Sequence, residues 1–355
     1  MKKYVFILLS LISVCHGQPP TVSGLIAMYR QTIKKTESIS YDYLLIRKQY
    51  DLTISSNPQI EKFKVQVKTD GNRVDHRALI WANYADRDNP DIKSVKPREK
   101  SFMWDGDSFY TYRMTVHDSK TTGVAFIERN DNEKQGHLAI SDTSGPLRGI
   151  MDGDFERIDM ILNKSDYLKV SSKKEKAGGS DCYVLLAEGD YGKYKIWFDP
   201  DHGYNIAKAR ILKKQDDIAW RGIPLGGPAG HKDSKHPGNK KSLSFCLENV
   251  KFKNIDGLWL AVSANYRVKV KFVGGKTVTV ESSIACDNIV IDPEFSEDDF
   301  KPDNIIDGTL VAIIPSQTKY RWIDGKPVEI KYEWINGKPV EKANKPATEQ
   351  IDKTK

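Results

Sequence analysis

Ile60-Glu-Lys-Phe63-Lys-Val65-Gln-Val67-Lys-Thr-Asp70 is the stretch that decides the fold class. Phe63, Val65 and Val67 recur at every second position, with charged or amide side chains between them. A period of two sends alternate side chains to opposite faces of a strand. One face is then apolar and the other wet, as in antiparallel sheets. The same grammar continues on both sides. SISYDYLLIRKQY (38–50) comes before it, and Asp70-Gly71-Asn72 is a turn signal leading into NRVDHRALIWA (72–82). KSFMWDGDSFYTYRMTV (100–116) has Asp105-Gly106 between two apolar runs, a hairpin signal, and TTGVAFIERN (121–130) follows.

The second half repeats the pattern in DYLKVSSKK, SDCYVLLAEGD, GKYKIWFDP, YNIAKARILKK, SLSFCLENVKF, GLWLAVSANYRVKVKFV and TVTVESSIACDNIVI. Turns at Gly179, Gly189-Asp190, Asp199 to Gly203, Asp256-Gly257 and Gly274-Gly275 divide these runs. Two segments break the rule. Thr21 to Lys35 has apolar residues at helical spacing with Thr21 or Ser23 as cap, and 145–163 reads as two short helices. The sum is an α+β chain with one large curved antiparallel sheet of about ten to eleven strands. An N-terminal helix and a short helical pair would cover its concave face. Hairpin-linked strands exclude a doubly wound parallel sheet, which needs long crossovers.

Of the 355 residues, 39% are hydrophobic and 29% charged, an ordinary globular balance that excludes a disordered, collagen-like or polytopic membrane chain. The net charge of +7 includes Lys2 and Lys3 and is too dilute elsewhere to indicate a nucleic-acid partner. Those lysines precede YVFILLSLISV (4–14), an apolar core that fits a signal peptide and is too short to span a bilayer. Cleavage after Gly17 is expected, giving an exported, periplasmic chain with no transmembrane span. A lipoprotein signal with Cys15 lipidated is the competing reading; the bulky Val14 before it argues against that. Cys182, Cys246 and Cys286 then remain. Cys246–Cys286 is the pair to test for a disulfide, against three buried thiols acting as small apolar residues.

The main domain is expected over 18–292. An extension over 293–342 holds a twelve-residue repeat, Tyr320-Arg-Trp-Ile-Asp-Gly-Lys-Pro-Val328 and Tyr332-Glu-Trp-Ile-Asn-Gly-Lys-Pro-Val340. These hairpin-like units either extend the sheet or hang outside it, and are a candidate surface for an envelope protein partner. Residues 343–355 read as a disordered tail.

Catalytic patterns are scarce. There is no GxSxG, HExxH, Walker A or GxGxxG motif, and no cofactor, metal or catalytic residue is expected. His231, Asp233 and His236 share a Gly/Pro-rich loop over 222–241 but lack a third ligand in a fixed geometry. His76 reads as a half-exposed strand residue. Asp105 and Asp107, like Asp199 and Asp201, are read as turn residues rather than an acid pair. The aromatic residues carry more information. A few helices cannot cover a sheet this large, and an apolar concavity is the default site for a lipid or acyl chain. Trp81, Trp104, Tyr110, Tyr112, Phe126, Met160, Trp197 and Trp259 are the candidate lining residues.

FMWDGDSFYTYR (102–113) and YKIWFDPDHGYNIAKARI (194–211) carry a resemblance. A strand ends in a Trp-x-Asp type turn, and after the second of these turns the next strand begins behind a Gly-Tyr. Together with the order of helix, strands, helical interruption and strands, this resembles the periplasmic lipoprotein-carrier (LolA/LolB-like) superfamily over about 21–292. That resemblance implies an unclosed β-barrel with helical lids, holding a hydrophobic ligand or lipoprotein acyl chain without enzymatic chemistry. No carrier arginine transfers onto a position of this chain. A structural or interaction component of the cell envelope is the alternative.

Overall fold

The computed structural model describes residues 20–51, 58–71, 73–83, 98–117, 120–129, 145–154, 156–219, 222–226, 239–314, 316, 318–335 and 338–346. The expected signal peptide, Cys15, residues 84–97, His231, Asp233, His236 and the last nine residues lie outside them.

Helix α1 (Val22–Lys34) begins at Thr21, whose Oγ1 accepts from the Gly24 N–H at 3.1 Å and satisfies one of the free donors of the first turn. Six strands follow as a meander: β1 (Ser38–Tyr50), β2 (Gln59–Asp70), β3 (Val74–Asn83), β4 (Arg98–Trp104), β5 (Ser108–His117) and β6 (Lys120–Arg129). A single 3₁₀ turn (Gly145–Arg148) and helix α2 (Ile158–Asn163) form the expected helical interruption. The second meander contains β7 (Tyr167–Val170), β8 (Glu175–Ala177), β9 (Ser180–Gly189), β10 (Gly192–Asp199) and β11 (Asn205–Lys214). A small separate pair, β12 (Ile218–Ala219) and β13 (Ile223–Pro224), precedes β14 (Lys240–Ile255), β15 (Leu258–Phe272) and β16 (Thr277–Ile291).

First and last strands of these meanders meet: β1 pairs with β16 from Ile39↔Ile291 to Tyr50↔Thr279. The order across the sheet is therefore β6-β5-β4-β3-β2-β1-β16-β15-β14-β11-β10-β9, with β7 and β8 on the far edge of β9. At the other end β17 (Leu310–Ile314) lies parallel to β6, followed by β18 (Lys319–Ile323), β19 (Lys326–Ile335) and β20 (Lys338–Pro346). Among the described residues eighteen strands share this large unclosed sheet, well above the ten to eleven expected. The excess includes the short β8 and the four C-terminal strands. The repeat thus extends the sheet through β18, β19 and β20.

The parallel β6–β17 pair requires a crossover. Residues 292–309 supply it, running over the sheet face opposite α1. Phe300 is buried there beneath Arg73, whose guanidinium lies 4.3 Å from the ring. Lys68–Asp299 (2.8 Å) and Arg77–Asp303 (2.7 Å) pin the segment, and Asn304 Nδ2 donates to Glu99 at 2.6 Å. Register then assigns the faces. Phe63, Val65 and Val67 share the helix-bearing face with Tyr41, Tyr43, Leu45, Ile284 and Tyr266, and pack against Leu25, Ile26 and Tyr29 of α1. Each fully buried side chain of this kind contributes about 1.5–3 kcal/mol. Two smaller cores lie on the opposite face. Tyr112, Ala125 and Ile127 pack with Val311, Tyr320 and Trp322; Cys182, Val184 and Trp197 pack near β8.

The three described cysteines are free. Cys246 on β14 pairs in register with Arg267 of β15, while Cys286 on β16 pairs with Tyr43 of β1. β15 lies between them, and Cys286 is five residues along β16 from Glu281, the position level with Arg267, so they stand roughly 19 Å apart. A disulfide needs Cα atoms within about 7 Å, so the expected pair is not formed. His76 also differs from expectation: it is 2% exposed on the helix-bearing face, with Nε2 3.1 Å from Tyr43 Oη.

Candidate functional site

The helix-bearing face is covered unevenly. Beside the end of α1 lies a cleft of about 400 Å³. Its floor is Ile39 and Tyr41 of β1 with Val67 and Thr69 of β2; one wall is Ile33 in the last turn of α1 with Thr36 and Glu37 just after it. The other wall and roof come from the segment that runs from the end of the 3₁₀ turn into α2: Arg148, Ile150, Glu156, Arg157 and Met160. This strap is a loop, so it needs local ties to hold a wall in place. Ile150 N–H donates to Gly145 O and Ile158 N–H to Gly149 O, both at 2.8 Å. Gly149 has φ +81, a left-handed conformation suited to glycine, and its Cα rests against the Tyr29 hydroxyl of α1.

Two charge clusters lock the strap. Asp159 receives Arg30 of α1 at 2.9 Å and Arg157 at 2.5 Å, so α1 and α2 share one carboxylate. Burial acts to raise the Asp159 carboxyl, but hydrogen bonds from Arg157 and Arg30 outweigh it and hold the group below its ordinary range. Deeper in, Asp154 Oδ1 meets Lys213 Nζ at 2.7 Å, with both side chains fully buried. Lys213 also donates to Tyr191 O (2.8 Å), Ile218 O (2.7 Å) and Tyr194 Oη (3.0 Å), while Tyr194 Oη donates to Asp154 at 2.8 Å. Burial pushes the Asp154 carboxyl up, against the pull of Lys213 and Tyr194. The cluster anchors the strap to the sheet.

Arg148 and Glu37 are the two charges at the cleft that no ion pair holds among the described residues. Glu156 is held by Lys164 and Arg157 by Asp159. Arg148 places its guanidinium 4.7 Å from the Tyr41 ring, and among the described residues no carboxylate lies within ion-pair distance of it. An apolar cleft with an unpaired guanidinium in one wall suits a ligand with an apolar body and an anionic head, held on the Arg148 side and away from the Glu37 carboxylate of the other wall. Among the described residues no cluster of His, Cys, Asp or Glu fit for a metal ion occurs, and no helix is long and apolar enough to cross a membrane.

Met160, 46% exposed, is the one sequence-derived candidate that lines this cleft. Trp104 and Phe126 share the helix-bearing face but lie farther along, where Trp104 is buried and Phe126 is 42% exposed. Trp81 stands opposite Lys62 on the other face, with the Lys62 ammonium 5.9 Å from its ring. Tyr110 and Tyr112 belong to the core with Trp322, on that same opposite face. Trp197 is buried there too, its Nε1 donating to Glu175 at 3.0 Å. Trp259 meets the His202 ring edge-on at 4.6 Å, away from the cleft. Sequence reading missed Arg148, Ile39, Tyr41 and Val67. The available signal was the lone cation in the otherwise apolar Gly145-Pro-Leu-Arg-Gly-Ile-Met151.

No protein-family profile and no curated protein matches the chain. Its structural neighbours include a DUF1329 family protein from Desulfovibrio piger, at 13% identity over 81% of this chain and 99% of the other, with a TM-score of 0.40. A LolA superfamily protein from Nitrosomonas europaea is similar at 13% identity over 81% of this chain and 100% of the other, with a TM-score of 0.37.

Proposed function

We propose that the protein is an exported, periplasmic, non-enzymatic binding protein that holds a hydrophobic ligand in the cleft beneath the strap. The ligand is a lipid, a lipoprotein acyl chain or a similar molecule, and lipoprotein sorting is the finer form of the role. The observation that carries it is the unneutralised Arg148 guanidinium over Tyr41 at the edge of an apolar cavity. The apolar floor takes the chain, and Arg148 takes a carboxylate or phosphate head.

Titrating the purified protein with a fluorescent fatty acid tests this. Saturable binding is expected, displaced by unlabelled fatty acid. Arg148→Gln should weaken binding of the acid at least tenfold, as expected for one charge-assisted hydrogen bond of about 1.5–3 kcal/mol. The matching fatty alcohol should bind the variant and the parent equally. Absence of saturable binding would remove the carrier role.

A further inference from the structure

The sheet face turned away from α1 carries an unusual charge distribution over β10, β11, β14 and β15. Register places Lys195, Arg210, Cys246 and Arg267 in one row across these strands. The next row is Lys193, Leu212, Ser244 and Lys269, and the third is Lys214, Ser242 and Lys271. Lys208 completes the group beside Trp197, whose ring also meets Lys195 and Arg210. Some of these cations are neutralised: Lys193 by Glu188 (2.6 Å), Lys195 by Glu175 (2.9 Å) and Arg267 by Glu281 (3.0 Å). Glu248 is a further acid on this face, and it accepts from the Cys246 thiol. Among the described residues, no carboxylate lies within ion-pair distance of Lys208, Arg210, Lys214, Lys269 or Lys271.

A second observation coincides with the first. Leu212 is 42% exposed, and it lies in register with Lys193 on one side and Ser244 on the other, between Arg210 and Lys214 along its own strand. The composition continues onto β1 and β2, where Lys48, Lys62 and Lys64 share this face with the exposed Leu44. Sheet side chains at every second position stand in one plane, at about 5 Å between strands. A plane of lysines and arginines around an exposed leucine fits the headgroup layer of an anionic bilayer, where cations meet phosphates and an apolar side chain reaches the acyl boundary.

We propose that this basic face docks the protein on an anionic phospholipid surface. Docking is peripheral and driven by the unneutralised cations, with Leu212 adding an apolar contact. It does not depend on what occupies the cleft, which lies on the other side of the sheet. Added salt screens such attraction within about one Debye length, so binding falls steeply with ionic strength.

Cosedimentation with vesicles tests it. The full chain should bind vesicles of equal parts phosphatidylglycerol and phosphatidylcholine, and not phosphatidylcholine alone. Lys214→Gln/Lys269→Gln/Lys271→Gln should lose roughly 100-fold in affinity, about fivefold per cation. Lys319→Gln/Lys326→Gln/Lys331→Gln removes the same net charge from the C-terminal strands and should bind as the parent does. Leu212→Ser should weaken binding severalfold without changing its salt dependence. Equal loss in the two triple variants would show an effect of net charge alone and overturn the proposal. So would equal binding to both vesicle types, no vesicle binding, or preferential capture of heparin over the anionic vesicles. Unchanged thermal melting of the variants shows that the fold is intact.

Discussion

Replacing Gly149 with alanine drives a methyl group into the hydroxyl of Tyr29. The Cβ of an alanine there would overlap Tyr29 Oη and come within 3.2 Å of Cζ, at a backbone φ of +81. The left-handed backbone alone costs about 1–2 kcal/mol for a residue with a Cβ. Relieving the overlap by moving the strap or the ring adds about 1–3 kcal/mol. Gly149→Ala should therefore destabilise by about 2–5 kcal/mol. Tyr29→Phe removes the hydroxyl, which is buried and has no hydrogen-bond partner among the described residues. That change should be neutral or stabilising, because an unsatisfied buried hydroxyl carries a desolvation penalty. In the Tyr29→Phe background the alanine should cost less, by the overlap term but not the backbone term. Urea unfolding of the four proteins closes the double-mutant cycle, read as midpoint shifts at unchanged slope. Additive effects would refute the contact between the strap and α1. Fatty-acid affinity should fall in Gly149→Ala and recover in the double variant, because Arg148 and Ile150 adjoin the displaced glycine.

Other outcomes follow from the buried charges and the C-terminal strands. Asp154→Ala leaves Lys213 buried without its carboxylate and should cost about 3–5 kcal/mol in urea unfolding, whereas Asp154→Leu/Lys213→Met should recover most of it. Asp75 lies on the face under the crossover, where burial raises its carboxyl to about 6 against the pull of Arg77. The folded state then holds this proton more tightly than the unfolded chain, so stability falls as pH rises from about 4 to about 6. Asp75→Asn should flatten that part of the pH–stability curve; an unchanged slope would contradict it. Trp322 is buried at 3% exposure against Tyr112 and Ile127, so Trp322→Ala should cost about 3–5 kcal/mol. Deletion of 318–355 should likewise lower the melting temperature markedly, and unchanged melting would mean that β18, β19 and β20 are an appendage.

Much of the fold was legible because its signals are local. Phe63, Val65 and Val67 alternate visibly, Thr21 caps α1, and Asp-Gly turns mark the hairpins. Face assignment was less legible. Alternation says that Trp197 and Lys195 point one way and Ile196 the other, but not which side α1 will cover. Both sides are in fact covered in places. Trp197 is buried beneath β8 and its salt bridges, and Tyr112 beneath β17 and β18, so aromatic content alone pointed away from the cleft. Nor does any local pattern reveal the β6–β17 pairing, which joins residues far apart in sequence through a crossover. Arg148 was hidden for a similar reason. Its meaning depends on Tyr41 lying beneath it and on Glu156 and Arg157 being neutralised elsewhere.

The most direct test of the binding site is photocrosslinking with a fatty acid carrying a diazirine on its chain, followed by peptide mapping. Adducts should fall on peptides containing Ile33 to Tyr41, Val67 to Gly71 or Arg148 to Met160, and excess unlabelled fatty acid should suppress them. Labelling spread over the sheet, or concentrated around Trp81, Trp197 and Trp259, would contradict a ligand held beneath the strap.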